Sequence, residues 1–204
     1  MLYRFIKRLF DVICGLIGLV VLIPVTLIVK IAYMCTGDFH RIFYTQERVG
    51  YKGKHFKILK FRSMAWDAEE QLEELLKKKK YREQWEAYQK LDHDPRITRV
   101  GKIIRRGSID EFPQFLNVLI GQMSLVGPRP LVPGELEEHK GDAKIYESVK
   151  PGITGYWAVR GRSNNDYEDR LKMEYYYAKN RKLSLDLKII IWTFKAVIKK
   201  DGAK

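Results

Sequence analysis

The sequence predicts an α+β fold, predominantly helical, on three observations: an uncharged apolar run near the N-terminus, two short alternating segments around a glycine-containing turn, and amphipathic helical stretches joined by proline- and glycine-rich loops. With 204 residues and 46% hydrophobic content, the chain is sized for one compact domain carrying an appended segment. The division is expected at residue 37, with 1–37 in lipid and 38–204 outside it.

From Val12 to Val29 eighteen consecutive residues carry no charge, which meets the length of a bilayer-embedded helix. A cleavable leader does not fit, because Lys30-Ile31-Ala32-Tyr33-Met34 offers no small-residue cleavage site. Basic residues flank both ends of the run: Arg4, Lys7 and Arg8 before it, Lys30 and Arg41 after it. Both ends therefore favour the cytoplasmic side. Pro24 removes a backbone donor within the run and predicts a kink between Leu19 and Pro24. A bent helix that enters and returns satisfies both facts, and a plain spanning helix with a tolerated proline satisfies the second. The residues alone leave the two open.

Ile42-Phe43-Tyr44-Thr45 and His55 to Arg62 flank Gly50-Tyr51-Lys52-Gly53 as a hairpin. By period-two alternation Phe56, Ile58, Lys60 and Arg62 share one face, so two cations would project together and hold an anion, or form a solvated basic end. Asp67 to about Leu91 reads as one charged helix with Glu73–Lys77 and Glu74–Lys78 pairs, ended by Asp94-Pro95. Ser184 is placed as the cap of a helix from Leu185 to about Lys200, whose Lys188, Lys195 and Lys199 with Trp192 suit a headgroup layer. Cys14 and Cys35 have no metal-ligand spacing and read as packing residues.

The net charge of +13 calls for phosphate-bearing partners without choosing among nucleic acid, anionic lipid and nucleotide. Arg105-Arg106-Gly107-Ser108-Ile109-Asp110-Glu111-Phe112-Pro113-Gln114 narrows the choice. Ser108 and Glu111 have capping-box spacing, which would account for both acids structurally. Pro113 argues otherwise: a helix beginning there leaves Asp110 and Glu111 on its approach loop, near a site that favours phosphate. Val126-Gly127-Pro128-Arg129-Pro130 is a stiff turn presenting Arg129 as a pyrophosphate clamp. Lys150-Pro151-Gly152-Ile153-Thr154-Gly155 leads through Tyr156 and Trp157 to Arg160-Gly161-Arg162, a loop with flexible backbone, aromatic faces and cations suited to a nucleotide.

Taken in order, Lys7-Arg8 with Asp11, Pro24, Phe43 to Gly50, Lys60 to Met64, Asp94 to Thr98, Ser108 to Glu111, Val126 to Pro130 and Pro151 to Gly155 resemble the small membrane-anchored phosphoglycosyl transferases, or bacterial sugar transferases. The resemblance covers essentially the whole chain. It implies a re-entrant helix kinked at Pro24, a small β-hairpin, and amphipathic interfacial helices around an active site on the cytoplasmic face of a bacterial inner membrane, with a monotopic topology. Residues 38–204 would form the catalytic domain, as a stand-alone unit without the added transmembrane helices and regulatory domain of larger members.

The same resemblance implies transfer of a hexose-1-phosphate from a UDP-sugar to polyprenyl (undecaprenyl) phosphate, releasing UMP, in the first membrane step of exopolysaccharide, capsule or O-antigen synthesis. Asp110 would be the nucleophile, assisted by Glu111 and Mg²⁺, with both carboxylates as metal ligands. Lys60, Arg62, Arg105, Arg129 and Arg162 are the candidates for substrate phosphate and nucleotide. UDP-galactose is favoured, then UDP-glucose, because the charged helix between Met64 and Asp94 resembles that branch. Two departures stand out: Ile23 where some members carry serine before the proline, and Tyr156 to Arg162 as a variant of Trp-x-x-Val-x-Gly-Arg that leaves Arg160 a weaker candidate than Arg162. No nucleic-acid partner is expected, and a homo-oligomer is left open. The alternatives are a non-catalytic, membrane-anchored basic adaptor binding anionic lipid or RNA, and a phosphatase or pyrophosphatase transferring to water.

Overall fold

The computed structural model describes residues 2–88, 91–160 and 167–199. Helix α1, Leu2–Cys35, runs through Pro24 as one element and is about 51 Å long at 1.5 Å per residue. Its buried positions are Asp11, Gly15, Gly18, Leu22, Val29 and Tyr33, one stripe along the helix, while Leu9, Ile13, Leu16, Val20, Ile23, Leu27 and Ile31 are exposed on the rest of it. The glycines in the stripe allow close approach: a β-carbon at Gly18 would lie 2.3 Å from the Phe115 ring and one at Gly15 2.8 Å from Leu119.

Polar contacts fasten both ends of α1 to the same body. Near the N-terminus the Arg8 guanidinium donates to the Val118 and Leu119 carbonyls at 2.7 and 2.6 Å, capping a short helix described below. Buried Asp11 accepts from Ser124 Oγ and the Leu125 N–H, each at 3.0 Å. Lys7 Nζ lies 3.2 Å from Asp186, and Tyr3 donates to the same carboxylate. Near the C-terminus Tyr33 Oη donates to the Arg62 carbonyl.

Strands β1 (Phe43–Val49) and β2 (His55–Phe61) form the expected antiparallel hairpin, with Phe43 opposite Phe61 and Val49 opposite His55. The turn is a single 3₁₀ turn with Lys52 and Gly53 in left-handed conformation. The charged segment forms two helices, α2 (Ala68–Leu76) and α3 (Lys79–Tyr88), where the sequence reads as one. Because α2 stops at Leu76, the pairs that form are Lys77–Glu74 and Lys79–Glu83, not the expected Glu73–Lys77 and Glu74–Lys78.

Helix α4, Arg99–Arg106, is capped by Thr98, whose hydroxyl accepts from the Gly101 N–H. A 3₁₀ turn over Ile109–Glu111 leads into α5, Gln114–Leu119. A second sheet, absent from the sequence reading, pairs β3 (Ser124–Val126) in parallel with β4 (Gly152–Thr154); the short helices α6 (Glu135–Glu138) and α7 (Ala143–Tyr146) lie between them in the chain. Three-residue strands offer no periodicity to detect.

Helices α8 (Tyr156–Arg160), α9 (Tyr167–Asn180) and α10 (Leu183–Lys199) complete the fold. Helix α10 starts at Leu183, so Ser184 lies inside its first turn and is not its cap. Trp192 is half-buried, packing against Tyr156 with the Arg160 guanidinium 4.1 Å from its ring. Leu187, Ile191 and Phe194 form the exposed apolar stripe of α10.

Candidate active site

The capping box does not form. Ser108 adopts a left-handed conformation (φ 53°) with no side-chain cap bond, and α5 begins at Gln114 behind Pro113. Proline at that junction sets the helix start, so Asp110 and Glu111 occupy the 3₁₀ turn on its approach. Both are half-buried. Lys60, on β2, places its ammonium 3.5 Å from Glu111. Burial and the neighbouring Glu111 charge push the Asp110 carboxyl above its ordinary value, while Lys60 and Arg105 pull it back. Arg105, in the last turn of α4, donates through Nε to Ser63 Oγ at 2.8 Å.

A cavity of about 300 Å³ opens beside this turn, with Lys60, Glu111, Gln114, Arg129, Trp157 and Glu174 among its walls; Asp110 is not one of them. Backbone from both glycine-rich loops also faces it. Their glycines are close-packing devices here: a β-carbon at Gly127 would stand 2.3 Å from the Lys150 carbonyl, at Gly152 2.1 Å from the Gly127 nitrogen, and at Gly155 2.3 Å from the Gly127 carbonyl. The flexible backbone expected over 150–155 is in fact pressed against the 126–128 segment, because β3 and β4 must pair at that point.

Arg129 is exposed within its stiff turn, as the two prolines suggest. Its peptide is held from both sides: the N–H donates to Glu174 Oε1 at 3.1 Å, and the carbonyl accepts from Tyr146 Oη at 2.8 Å. Arg48 braces the next residue, donating to the Pro130 carbonyl at 3.2 Å.

Lys60 and Arg62 are not brought together. Arg62 lies beyond the end of β2 and is buried, donating to the Arg41 and Met64 carbonyls and pairing with Asp38 at 2.9 Å, with its guanidinium 4.4 Å from the Tyr33 ring. Those partners satisfy it away from the cavity, so the pair does not share one anion. Arg162 lies outside the described residues.

Sequence reasoning missed Glu174. It sits mid-way along α9, 2% exposed, and burial pushes its carboxyl up to about 7 against the pull of the Arg129 N–H, Arg170 and Arg129. An isolated acid within a charged helical stretch gives no motif, and only the tertiary fold brings it to the cavity.

Among the described residues no group of three or more His, Cys, Asp or Glu side chains could hold a metal. The adjacent Asp110 and Glu111 nonetheless fit Mg²⁺, which commonly takes one or two carboxylates and fills its remaining positions with water and substrate phosphate. Burial first, and the neighbouring Glu111 charge second, raise the Asp110 carboxyl, and a bound cation would offset both.

One helix long and apolar enough to cross a membrane packs on a small domain whose cleft sets Glu111 beside Lys60 and Arg129, with Asp110 on the same turn, an arrangement that fits membrane attachment and phosphorylated ligands. The chain belongs to the bacterial sugar transferase family, whose profile matches residues 2–200. It is similar to an undecaprenyl-phosphate galactose phosphotransferase of Salmonella typhimurium, 45% identical over 98% of this chain and 42% of that protein. It is similar also to the galactosyl transferase CpsE of Streptococcus agalactiae, 40% identical over 97% of this chain and 43% of that protein. The exopolysaccharide production protein ExoY of Sinorhizobium fredii is 39% identical over 97% of this chain and 87% of its own length. The chain thus spans about two fifths of the length of the first curated relatives it matches.

Proposed function

We propose that the protein is a phosphoglycosyl transferase that moves a hexose-1-phosphate from a UDP-sugar to polyprenyl phosphate, with UDP-galactose the favoured donor. The observation that carries this is the Asp110–Glu111 turn: paired carboxylates beside Lys60 and Arg105, next to a cavity that Arg129 enters from another loop. The names of relatives acting on galactose and undecaprenyl phosphate support the substrates.

In the first step a carboxylate oxygen of Asp110 bonds to the β-phosphorus of the donor, the bond from that phosphorus to the bridging oxygen breaks, and UMP leaves with the electron pair. In the second, an oxygen of the polyprenyl phosphate displaces the carboxylate, giving a sugar diphospho-lipid and restoring Asp110. Covalent catalysis of this kind divides one exchange between anions into two. Lys60, Arg105 and Arg129 stabilise the negative charge as it builds on the transferring group. Asp110 and Glu111 would hold Mg²⁺, which supplies further charge neutralisation when bound. Glu111 also takes any proton remaining on the incoming lipid phosphate.

The acceptor is in lipid and the donor in water, so the site belongs at their boundary. Helix α1 supports a monotopic placement, and the basic residues flanking its apolar run at both ends favour the cytoplasmic face. Its contacts with the body extend from Tyr3 to Tyr33, with buried positions never more than seven residues apart, so no stretch of about 20 residues is free to cross a bilayer. Its exposed apolar side would lie in lipid, with Pro24 as the bend of a re-entrant helix.

UMP release from UDP-galactose by the purified protein tests the reading. Release that requires both divalent metal and polyprenyl phosphate is expected. Release yielding free galactose-1-phosphate without the lipid would mark a hydrolase, and no release with any UDP-hexose would leave an adaptor whose binding weakens steeply with salt.

A further inference from the structure

Buried polar atoms in folded proteins nearly always have partners, and those without one call for an explanation. Among the described residues such side-chain atoms occur on Arg48, Trp157, Arg170 and Glu174. Arg48, Trp157 and Glu174 line the cavity beside Asp110–Glu111, and the Arg170 guanidinium lies 5.0 Å from the Trp157 ring. The orphaned groups are therefore gathered at one site. Glu174 is 2% exposed; its Oε1 is engaged by the Arg129 N–H, and its Oε2 has no donor.

The chemistry of these atoms selects what completes them. Glu174 Oε2 needs a donor, whereas Trp157 Nε1 and Arg48 Nε need acceptors. A phosphoryl oxygen only accepts and is repelled by a carboxylate, so it suits the Lys60 and Arg129 part of the cavity. A hydroxyl both donates and accepts, and a ring with neighbouring hydroxyls serves a carboxylate and an indole N–H together.

We propose that Glu174 and Trp157 are specificity-determining residues that read the hexose of the donor, Glu174 accepting from one sugar hydroxyl and Trp157 donating to another. This rests on the transferase reading. The carboxylate also has a second task, because its other oxygen holds the peptide that presents Arg129: sugar recognition and phosphate clamping meet in one side chain. A site built to bond a hydroxyl discriminates strongly against an analogue that misplaces it, since its own buried groups are then left unpaired.

The test measures kcat/KM for UMP release with UDP-galactose and UDP-glucose, which differ in the orientation of one hydroxyl, alongside inhibition by UMP, which lacks the sugar. The full chain is used in detergent with polyprenyl phosphate, as wild type, Glu174→Gln and Trp157→Phe. At least one variant is expected to change the galactose-to-glucose ratio about tenfold or more, with UMP inhibition unchanged in Trp157→Phe; Glu174→Gln, which also touches the peptide presenting Arg129, is read on the ratio alone. An unmoved ratio in both variants would overturn the proposal. So would weakened UMP inhibition with an unmoved ratio, which would assign the wall to the nucleotide. Should Glu174→Gln not fold, Trp157→Phe decides alone. Wild type inert toward every UDP-hexose would sink the transferase reading and this one with it; an active wild type with unmoved variant ratios sinks only this one.

Discussion

Asp110 and Glu174 both have carboxyls raised above their own ordinary values, but for different reasons. Asp110 is half-buried on a short turn, where burial and Glu111 raise it and Lys60 and Arg105 oppose them. Glu174 is enclosed in a helix, where burial alone raises it against two arginines and a backbone N–H. The difference teaches what each site tolerates. A group that must form and release a bond needs access and nearby charges that change with the ligand, whereas a group that holds a turn and reads a neutral ring works best enclosed.

The largest effect expected from breaking this contrast is at Asp110. Asp110→Asn removes the nucleophile and should lower turnover on the order of 10³-fold or more, as loss of a covalent-catalysis residue does; UMP-release kinetics measure it. Next is the anchor of α1. Asp11→Ala strands Ser124 Oγ and the Leu125 N–H in a buried place and should cost about 3 kcal/mol, read as a lowered thermal midpoint in detergent.

Glu174 sharpens the contrast through pH. Its folded-state carboxyl titrates near 7 against an ordinary 4.5, so its stability contribution is complete below 4.5 and is lost as pH rises through 7. That loss is roughly 3 kcal/mol. Glu174→Gln removes it, so thermal midpoints of variant and wild type should compare more favourably for the variant at pH 8 than at pH 5. A smaller effect is expected at Lys60, which pulls the Asp110 carboxyl down. Lys60→Met should raise that carboxyl and move the acid limb of the pH–rate profile upward, since the ionised form attacks. The smallest is Lys77→Ala, which removes an exposed pair with Glu74 and should change stability by no more than about 0.5 kcal/mol in the same thermal assay.

Much of the fold was legible because its signals are local. The apolar run specifies α1, the alternation around Gly50–Gly53 gives the hairpin, and Pro113 moves the helix start past the acids. What was not legible is tertiary. Arg62 follows the strand pattern of Lys60, yet Asp38 and Tyr33 draw it away from the cavity. The glycines at 127, 152 and 155 read as loop flexibility, while their use is close backbone contact. Glu174 carries no local mark, and its importance comes from burial and from the Arg129 N–H it meets 45 residues earlier in the chain.

The central claim is that Asp110 becomes esterified to a sugar phosphate, and intact-mass analysis of the protein quenched after mixing with UDP-galactose and Mg²⁺, without acceptor lipid, tests it most directly. A mass increase equal to one phosphohexose, mapped by peptide to Asp110 and discharged by polyprenyl phosphate, is the predicted result. No adduct in a preparation that turns over, or an adduct of the same size in Asp110→Asn, would contradict it.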